Sequence, residues 1–486
     1  MLRLNFFLSF FVVLSFCSTN ALAQTWDTIG VDDARIHYVG RTWDASNVNG
    51  TGKIFAWSGV NASLSFEGTA VKALMERPSN ASGVDSSWYK VFVDGTFIKD
   101  IPYKDYNTAT EILLAENLAA GTHSVMFYKR TEAQMGSQLF LGFSVLGSST
   151  TKLNIPSRRL EFIGNSITCG YGVLDSCVMN SSSALEGTCL GFTTTSEDHY
   201  YSYAGVVARA LGAEEQTLCW SGKGLYENLS DTPGSVNTTM PLLWDYAQPF
   251  ANKSDTSIAA GWDYSRYVPQ AVVINLGTND FGNSSNPPEK EFVDTYVAFI
   301  QRIKAEYGDS TPVVLLHGPM LGDSYPAGRN VATTLEKYID STIAIVGPTV
   351  HKLILSPNQI LKWGVGADWH PNKSQNILNG AELELKLREI LGWVGSDLPI
   401  KARHKQNKLG VNFLNQNQIE LSLPQSGIVS ARLFSLDGKV ISALQEYKNA
   451  GACIISMPGS KIEHGIYVLK VSAGGNVWSQ EVFVKK

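Results

Sequence analysis

The sequence predicts a multidomain chain of three parts. These are an N-terminal β-sandwich of jelly-roll type, a central α/β unit with a parallel sheet and helices on both faces, and a small C-terminal β-sandwich. Three observations predict this. Short strand-like runs separated by turn residues occupy the N-terminal part, apolar runs alternate with amphipathic helical spacing through the middle, and glycine-punctuated strand runs return after residue 398. The chain has 486 residues, 44% hydrophobic and 10% aromatic, enough for full-sized cores. Charged residues make up 17%, below the usual level of about 25%, which argues against a coiled coil or a disordered chain. A net charge of −5 argues against an electrostatic nucleic-acid binder.

Residues 1–23 read as a secretion signal. Arg3 supplies the positive start, residues 4–16 are almost all apolar, and Ala21-Leu22-Ala23 offers an A-x-A cleavage site before Gln24. The apolar run falls short of the roughly 20 residues that cross a bilayer, so no stable membrane span is expected. Bulky Phe16 fits lipid attachment at Cys17 poorly. The expected destination is secreted or cell surface. Five cysteines remain after Cys17: Cys169, Cys177, Cys189, Cys219 and Cys453. Cys177 and Cys189 flank a polar loop and form the expected disulfide. Cys169 and Cys219 read either as neighbours at the carboxyl edge of one sheet or as small buried hydrophobes.

Residues 24–150 form the first domain. Tyr89-Lys90-Val91-Phe92-Val93, then Asp94-Gly95, then Thr96-Phe97-Ile98 predicts a hairpin with a two-residue turn. Further strand runs lie at 36–39, 54–57, 63–66, 71–75, 112–114 and 124–128, and residues 147–151 read as a linker. Residues 151–397 form the second domain. Its strand runs are 160–163, 216–218, 271–276, 313–316 and 352–355. Between them, Phe292, Tyr296, Phe299, Ile300 and Ile303 follow helical spacing, as do Leu383, Leu387, Ile390 and Leu391. Residues 398–486 hold a basic linker, with Lys401, Arg403, His404, Lys405 and Lys408. Strand runs then follow at 418–423, 430–435, 439–441, 452–457 and 467–471.

A parallel sheet presents its chemistry beyond the carboxyl ends of its strands. The first central strand runs into Gly164-Asn165-Ser166, which places Ser166 at a strand-to-helix turn. An N-cap serine is the ordinary reading of such a position. The second strand leads to Trp220-Ser221-Gly222-Lys223-Gly224, where a glycine can aim a backbone N–H at a ligand. The third leads to Gly277-Thr278-Asn279-Asp280, where the Asn279 amide can donate to an oxyanion; a helix cap or Asx-turn is the plain alternative. A serine nucleophile needs a base. His370 follows the last strand and returns to the same edge, Asp368 is placed to orient it, and His317 and His351 are weaker candidates. No metal site is expected: the closest histidines, His351 and His370, are 19 positions apart and there is no C-x-x-C. No nucleotide-binding glycine motif and no G-x-S-x-G elbow occur.

These blocks resemble the SGNH (GDSL-like) hydrolase superfamily in order and context. Two departures stand out: Asn165 replaces the common Asp before the nucleophile, and Asp368 lies two residues before His370 rather than three. Both look like carbohydrate esterase family 2. Ser166-Ile167-Thr168-Cys169-Gly170-Tyr171-Gly172, the Trp220 to Gly224 block and Lys129-Arg130-Thr131-Glu132-Ala133 resemble its motifs, over roughly residues 27–394. The resemblance implies a β-sandwich joined to an SGNH domain. It also implies deacetylation of plant polysaccharides such as acetylxylan, by a Ser–His dyad or a triad. Ala431-Arg432-Leu433-Phe434-Ser435-Leu436-Asp437-Gly438-Lys439-Val440 and Gly465-Ile466-Tyr467-Val468-Leu469-Lys470-Val471 resemble the C-terminal sorting domain of type IX secretion. That implies a secretion machinery as partner.

The expectation is therefore a secreted serine esterase. Its catalytic residues are Ser166, His370 and Asp368, with an oxyanion hole of Ser166, Gly222 and Asn279. Trp369 and Trp220 suit a sugar face, a core position being the plain alternative for either, and no cofactor or metal is needed. The rival readings are an SGNH lipase or thioesterase with another ester, and an inactive polysaccharide-binding surface protein.

Overall fold

A computed structural model describes residues 25–393, apart from 48–49, 78–85, 105–106, 149–152, 180–184, 187–190, 232–237 and 249–259, together with strand segments between 410 and 484. The secretion signal, Cys17, Cys189, the basic linker and most of the 147–151 linker lie outside the described residues. The chain divides into two compact units. One runs to Lys129 and resumes over Met135–Ile155; the other holds Arg130–Gln134 and resumes at Pro156.

In the first unit the predicted runs at 63–66 and 71–75 are one strand, Asn61–Glu76. Gly68, between the two predicted runs, sits where a Cβ would lie 2.2 Å from the Leu146 carbonyl oxygen, beside a shift in the pairing register. Glycine there lets the strand bend without ending. The same strand pairs with Thr122–Lys129 over its first half and with Thr110–Ala115 over its second. Ten strands are thus joined in one hydrogen-bonded network. The hairpin forms between Trp88–Val93 and Thr96–Pro102, with positive φ at both Asp94 and Gly95, as a two-residue turn of this hand requires.

The central sheet of the second unit has five parallel strands: Arg158–Gly164, Ala213–Cys219, Ala271–Asn275, Val313–His317 and Val350–Ile354. Their order is second, first, third, fourth, fifth, so the chain reverses direction across the sheet between the first and third strands. Leu160, Phe162, Ala271, Val273, Val314 and Leu316 share one core with the helices Tyr203–Leu211 and Lys373–Leu391. Strand alternation turns Val272, Ile274, Val313 and Leu315 to the opposite face. The helices Glu289–Tyr307 and Val331–Val346 pack on each other, and the latter also packs on the fourth and fifth strands. Among the described residues no helix is long and apolar enough to cross a membrane.

The C-terminal strands form two antiparallel sheets, of three and four strands. Ile419, Leu421 and Ile455 from one sheet and Leu433, Leu469 and Val471 from the other share a core. Two strands, Gly410–Asn415 and Asn476–Val484, were not anticipated.

Candidate active site

The site begins with strand register. Gly164 pairs with Cys219 on one side and with Asn275 on the other, so three strands end level at the reversal point of the sheet. Crevices at such reversal points are where ligands bind in open α/β sheets. The loop after each strand then supplies one part of the site.

The first loop is a single helical turn, Ser166–Cys169. Asn165 caps it, its side chain accepting the Ile167 N–H at 3.1 Å, and Gly170 closes it in a left-handed conformation. Asn165, the departure from the superfamily pattern, is thus the cap, and Ser166 is the first helical residue. Ser166 donates its hydroxyl proton to His370 Nε2 across 2.7 Å.

His370 reaches this position through an unusual backbone. Asp368 and Trp369 both have positive φ, 46° and 66°. This double left-handed turn brings the carbonyl oxygens of Ala367 and Asp368 to His370 Nδ1, each at 3.1 Å. Two acceptors at Nδ1 fix the proton there and leave the Nε2 lone pair facing Ser166. The Asp368 carboxylate is not at the imidazole; it accepts the Tyr171 hydroxyl at 2.7 Å. The expectation that this carboxylate orients His370 is therefore corrected. With the residues only two apart in a left-handed turn, a backbone carbonyl takes the place of the side chain. Burial pushes the His370 pKa down to about 4, against the upward pull of the two carbonyls and the Asp368 charge. The residue as a whole is half-buried, but both ring nitrogens face protein atoms, so the loss of hydration counts. At neutral pH the imidazole is an uncharged base.

The second and third loops are tied together. The buried Asn279 side chain donates one N–H to the Lys223 carbonyl at 2.7 Å, leaving its second N–H. Gly222 adopts φ +80°, a conformation that favours glycine. The buried Asp280 carboxylate accepts three backbone N–H groups, from Leu225, Tyr226 and Glu227, at 2.7–3.0 Å. Burial raises its pKa to about 6 despite those donors, so it is charged at neutral pH. Cys169 and Cys219, three residues after Ser166 and three before Gly222, form a disulfide with Cα atoms 5.5 Å apart. Cys177 is also disulfide-bonded. Glu132 accepts the Ser221 N–H at 2.5 Å. Arg130 donates to the Thr195 and Glu197 carbonyls. The one group of metal-type ligands among the described residues, Glu132, Cys169 and Glu197, offers no thiolate, because Cys169 is in the disulfide.

Trp369 is 47% exposed and lines a cleft of about 830 Å³ with Met320, Tyr325, Pro357 and Asp368. Trp220 is only 7% exposed. The expectation that it offers a sugar platform is corrected: its ring is buried, with the Lys223 ammonium 5.6 Å away. His317 is buried and bonded to the Ala332 carbonyl at 3.2 Å, and His351 lies within the last central strand. Sequence reasoning did not single out Tyr171, Glu132, Asp280 or Phe192. The first three lie inside recognisable motif strings and were legible there as positions; Phe192 carries no signal.

The carbohydrate esterase 2 N-terminal family matches residues 38–155, and the GDSL-like lipase/acylhydrolase family matches residues 162–374. The cellulase/esterase CelE of Acetivibrio thermocellus is 33% identical over 375 residues, 76% of this chain; the chain spans 41% of that protein's length. An acetylxylan esterase / glucomannan deacetylase of Cellvibrio japonicus is 26% identical over 383 residues, covering 78% of this chain and 96% of that one. A solved family two carbohydrate esterase from Clostridium thermocellum, in complex with cellohexaose, is 31% identical with a TM-score of 0.62, covering 74% of this chain and all of its own. With a serine and a histidine in contact at the sheet edge and these matches over both of its units, the chain belongs to carbohydrate esterase family 2.

Proposed function

We propose that the protein is an exported serine esterase that removes O-acetyl groups from plant cell-wall polysaccharides such as acetylxylan. The observation that carries this reading is the 2.7 Å contact between Ser166 Oγ and a His370 Nε2 whose proton is held on the opposite nitrogen. Ser166 Oγ attacks the acetyl carbonyl carbon while its proton passes to Nε2. The Ser166 and Gly222 N–H groups and the second Asn279 N–H receive the oxyanion. Collapse breaks the bond to the sugar oxygen, which takes the proton from His370 and leaves an acetyl-enzyme. Water then attacks the acetyl carbon, gives its proton to His370, and acetate departs as Ser166 regains the proton. Neither step needs a cofactor.

The activities for which the relatives are named, and the cellohexaose bound by one of them, support a polysaccharide substrate. So does the exposed Trp369 beside an open cleft, since sugar rings stack on aromatic faces while a long acyl chain needs an enclosed apolar one. Export rests on the signal in residues 1–23, and passage through a type IX secretion machinery rests on the C-terminal motifs. The deciding experiment is acetate release from acetylxylan by wild type and Ser166→Ala. Release confined to wild type supports the reading. Equal release overturns it, and release from neither, with the fold intact, favours a binding protein.

A further inference from the structure

The carboxylate expected at His370 has a different partner, and that partner leads back to the same imidazole. Tyr171 donates its hydroxyl to Asp368 Oδ2 at 2.7 Å, and its ring lies 4.3 Å from the His370 ring, tilted by 36°. The other face of Tyr171 is covered by Phe192, with ring centroids 4.0 Å apart and planes within 18°. Phe192, Tyr171 and His370 thus form a stack, and Asp368 pins the middle ring.

The two carbonyls at Nδ1 hold one edge of the imidazole. Acceptors at an edge set the tautomer but resist tilting out of the ring plane weakly. A ring on the imidazole face resists it directly, provided that ring is itself fixed. Tyr171 is fixed on its far face by Phe192 and at its tip by Asp368. During attack His370 takes a proton from Ser166, and a positive charge then sits against the electron-rich face of Tyr171. Burial and the neighbouring Asp368 charge keep the phenol protonated, so its hydroxyl remains a donor.

We propose that Tyr171 and Asp368 act as one positioning strut that holds the His370 imidazole in its catalytic plane and steadies the imidazolium. Neither is itself a proton carrier. Asp368 contributes twice, its backbone carbonyl at Nδ1 and its carboxylate through Tyr171. The strut explains how a family pattern with the Asp two residues from the His still draws on that carboxylate without an Asp–His bond.

The proposal rests on the serine-esterase reading, and the test separates the two. The substrate is 4-nitrophenyl acetate, an acetyl ester without a sugar, measured alongside acetylxylan. Tyr171→Phe keeps the ring and loses the hydroxyl. Asp368→Gly loses the carboxylate while tolerating the left-handed backbone. Each is expected to lower kcat on 4-nitrophenyl acetate by about 3- to 10-fold with KM unchanged, the size of one hydrogen bond. Because the two residues form one strut, the double variant is expected to lose no more than either single one. Tyr171→Leu removes the ring as well. A loss of about 10- to 50-fold in kcat is expected, with the acid limb of kcat/KM moved to lower pH, since the imidazolium loses its aromatic face. Losses that multiply in the double variant, wild-type kcat in Tyr171→Leu, or losses on acetylxylan alone would each overturn the proposal; the last would make Tyr171 a sugar contact. Full activity of a Ser166→Ala control would instead overturn the serine-esterase reading itself.

Discussion

The nucleophile side and the base side of this site are built in opposite ways. Ser166, Gly222 and Asn279 stand on a covalently tied, buried frame. A disulfide joins the nucleophile turn to the end of the neighbouring strand, Glu132 holds Ser221, and Asp280 grips three successive backbone N–H groups. His370 stands on a loop beside the open cleft, held by backbone carbonyls, two left-handed residues and one exposed hydrogen bond. Oxyanion donors, the role proposed for these three groups, act only if preorganised around a charge that exists briefly, and a tied, buried frame suits that role. A base needs one ring aimed at one oxygen, and a few contacts suffice.

The largest effect belongs to the atom that both sides serve. Ser166→Ala should lower kcat on the order of 10⁴-fold or more while leaving the fold and its thermal transition unchanged. Next is the frame. Replacing Cys169 and Cys219 by Ser opens a 50-residue loop and should cost about 4 kcal/mol of stability by chain entropy, read by denaturant unfolding. A cost below about 1 kcal/mol would mean that the frame is held by its hydrogen bonds alone. Asn279→Ala removes one of the proposed oxyanion donors and the tie to Lys223, and should lower kcat by about 10²- to 10³-fold with KM nearly unchanged.

A gentler test uses pH. The His370 pKa lies near 4 rather than 6.5, so the neutral base persists until the pH falls through about 4. The acid limb of kcat/KM should therefore have its midpoint near 4, and a midpoint near 6.5 would mean a well-hydrated ring. The same shift has a stability consequence of definite sign. Between pH 6.5 and 4 the unfolded chain takes a proton that the native imidazole does not, so this group's contribution to stability falls as the pH falls through that window. The smallest effect is expected on the base side. Asp368→Gly, which keeps the left-handed turn, should lower kcat by less than about 10-fold, far less than His370→Ala, because the carbonyls at Nδ1 survive it. Equal collapse in both variants would show that the base side is as dependent on its carboxylate as a triad is.

Much of this molecule could be read from residue order alone. Alternation of period two and helical spacing report burial, which a single segment encodes by itself. Hence the five central strands, the hairpin at Asp94-Gly95 and the loops bearing Ser166, Gly222, Asn279 and His370 were all legible. What a segment cannot encode is the partner that reaches it from far along the chain. The runs at 63–66 and 71–75 read as two strands; only the close approach of Leu146 to Gly68 between them shows one continuous strand. Trp220 read as a sugar platform because its burial depends on packing that sequence spacing does not report. Cys169 and Cys219 could be placed at one sheet edge, but the bond between them depends on strands meeting in register. Asp368 is the clearest case. Its identity and its distance from His370 in sequence were known, yet two left-handed dihedrals decide that its carbonyl, not its carboxylate, meets the imidazole, and that the carboxylate turns to Tyr171, 197 positions away.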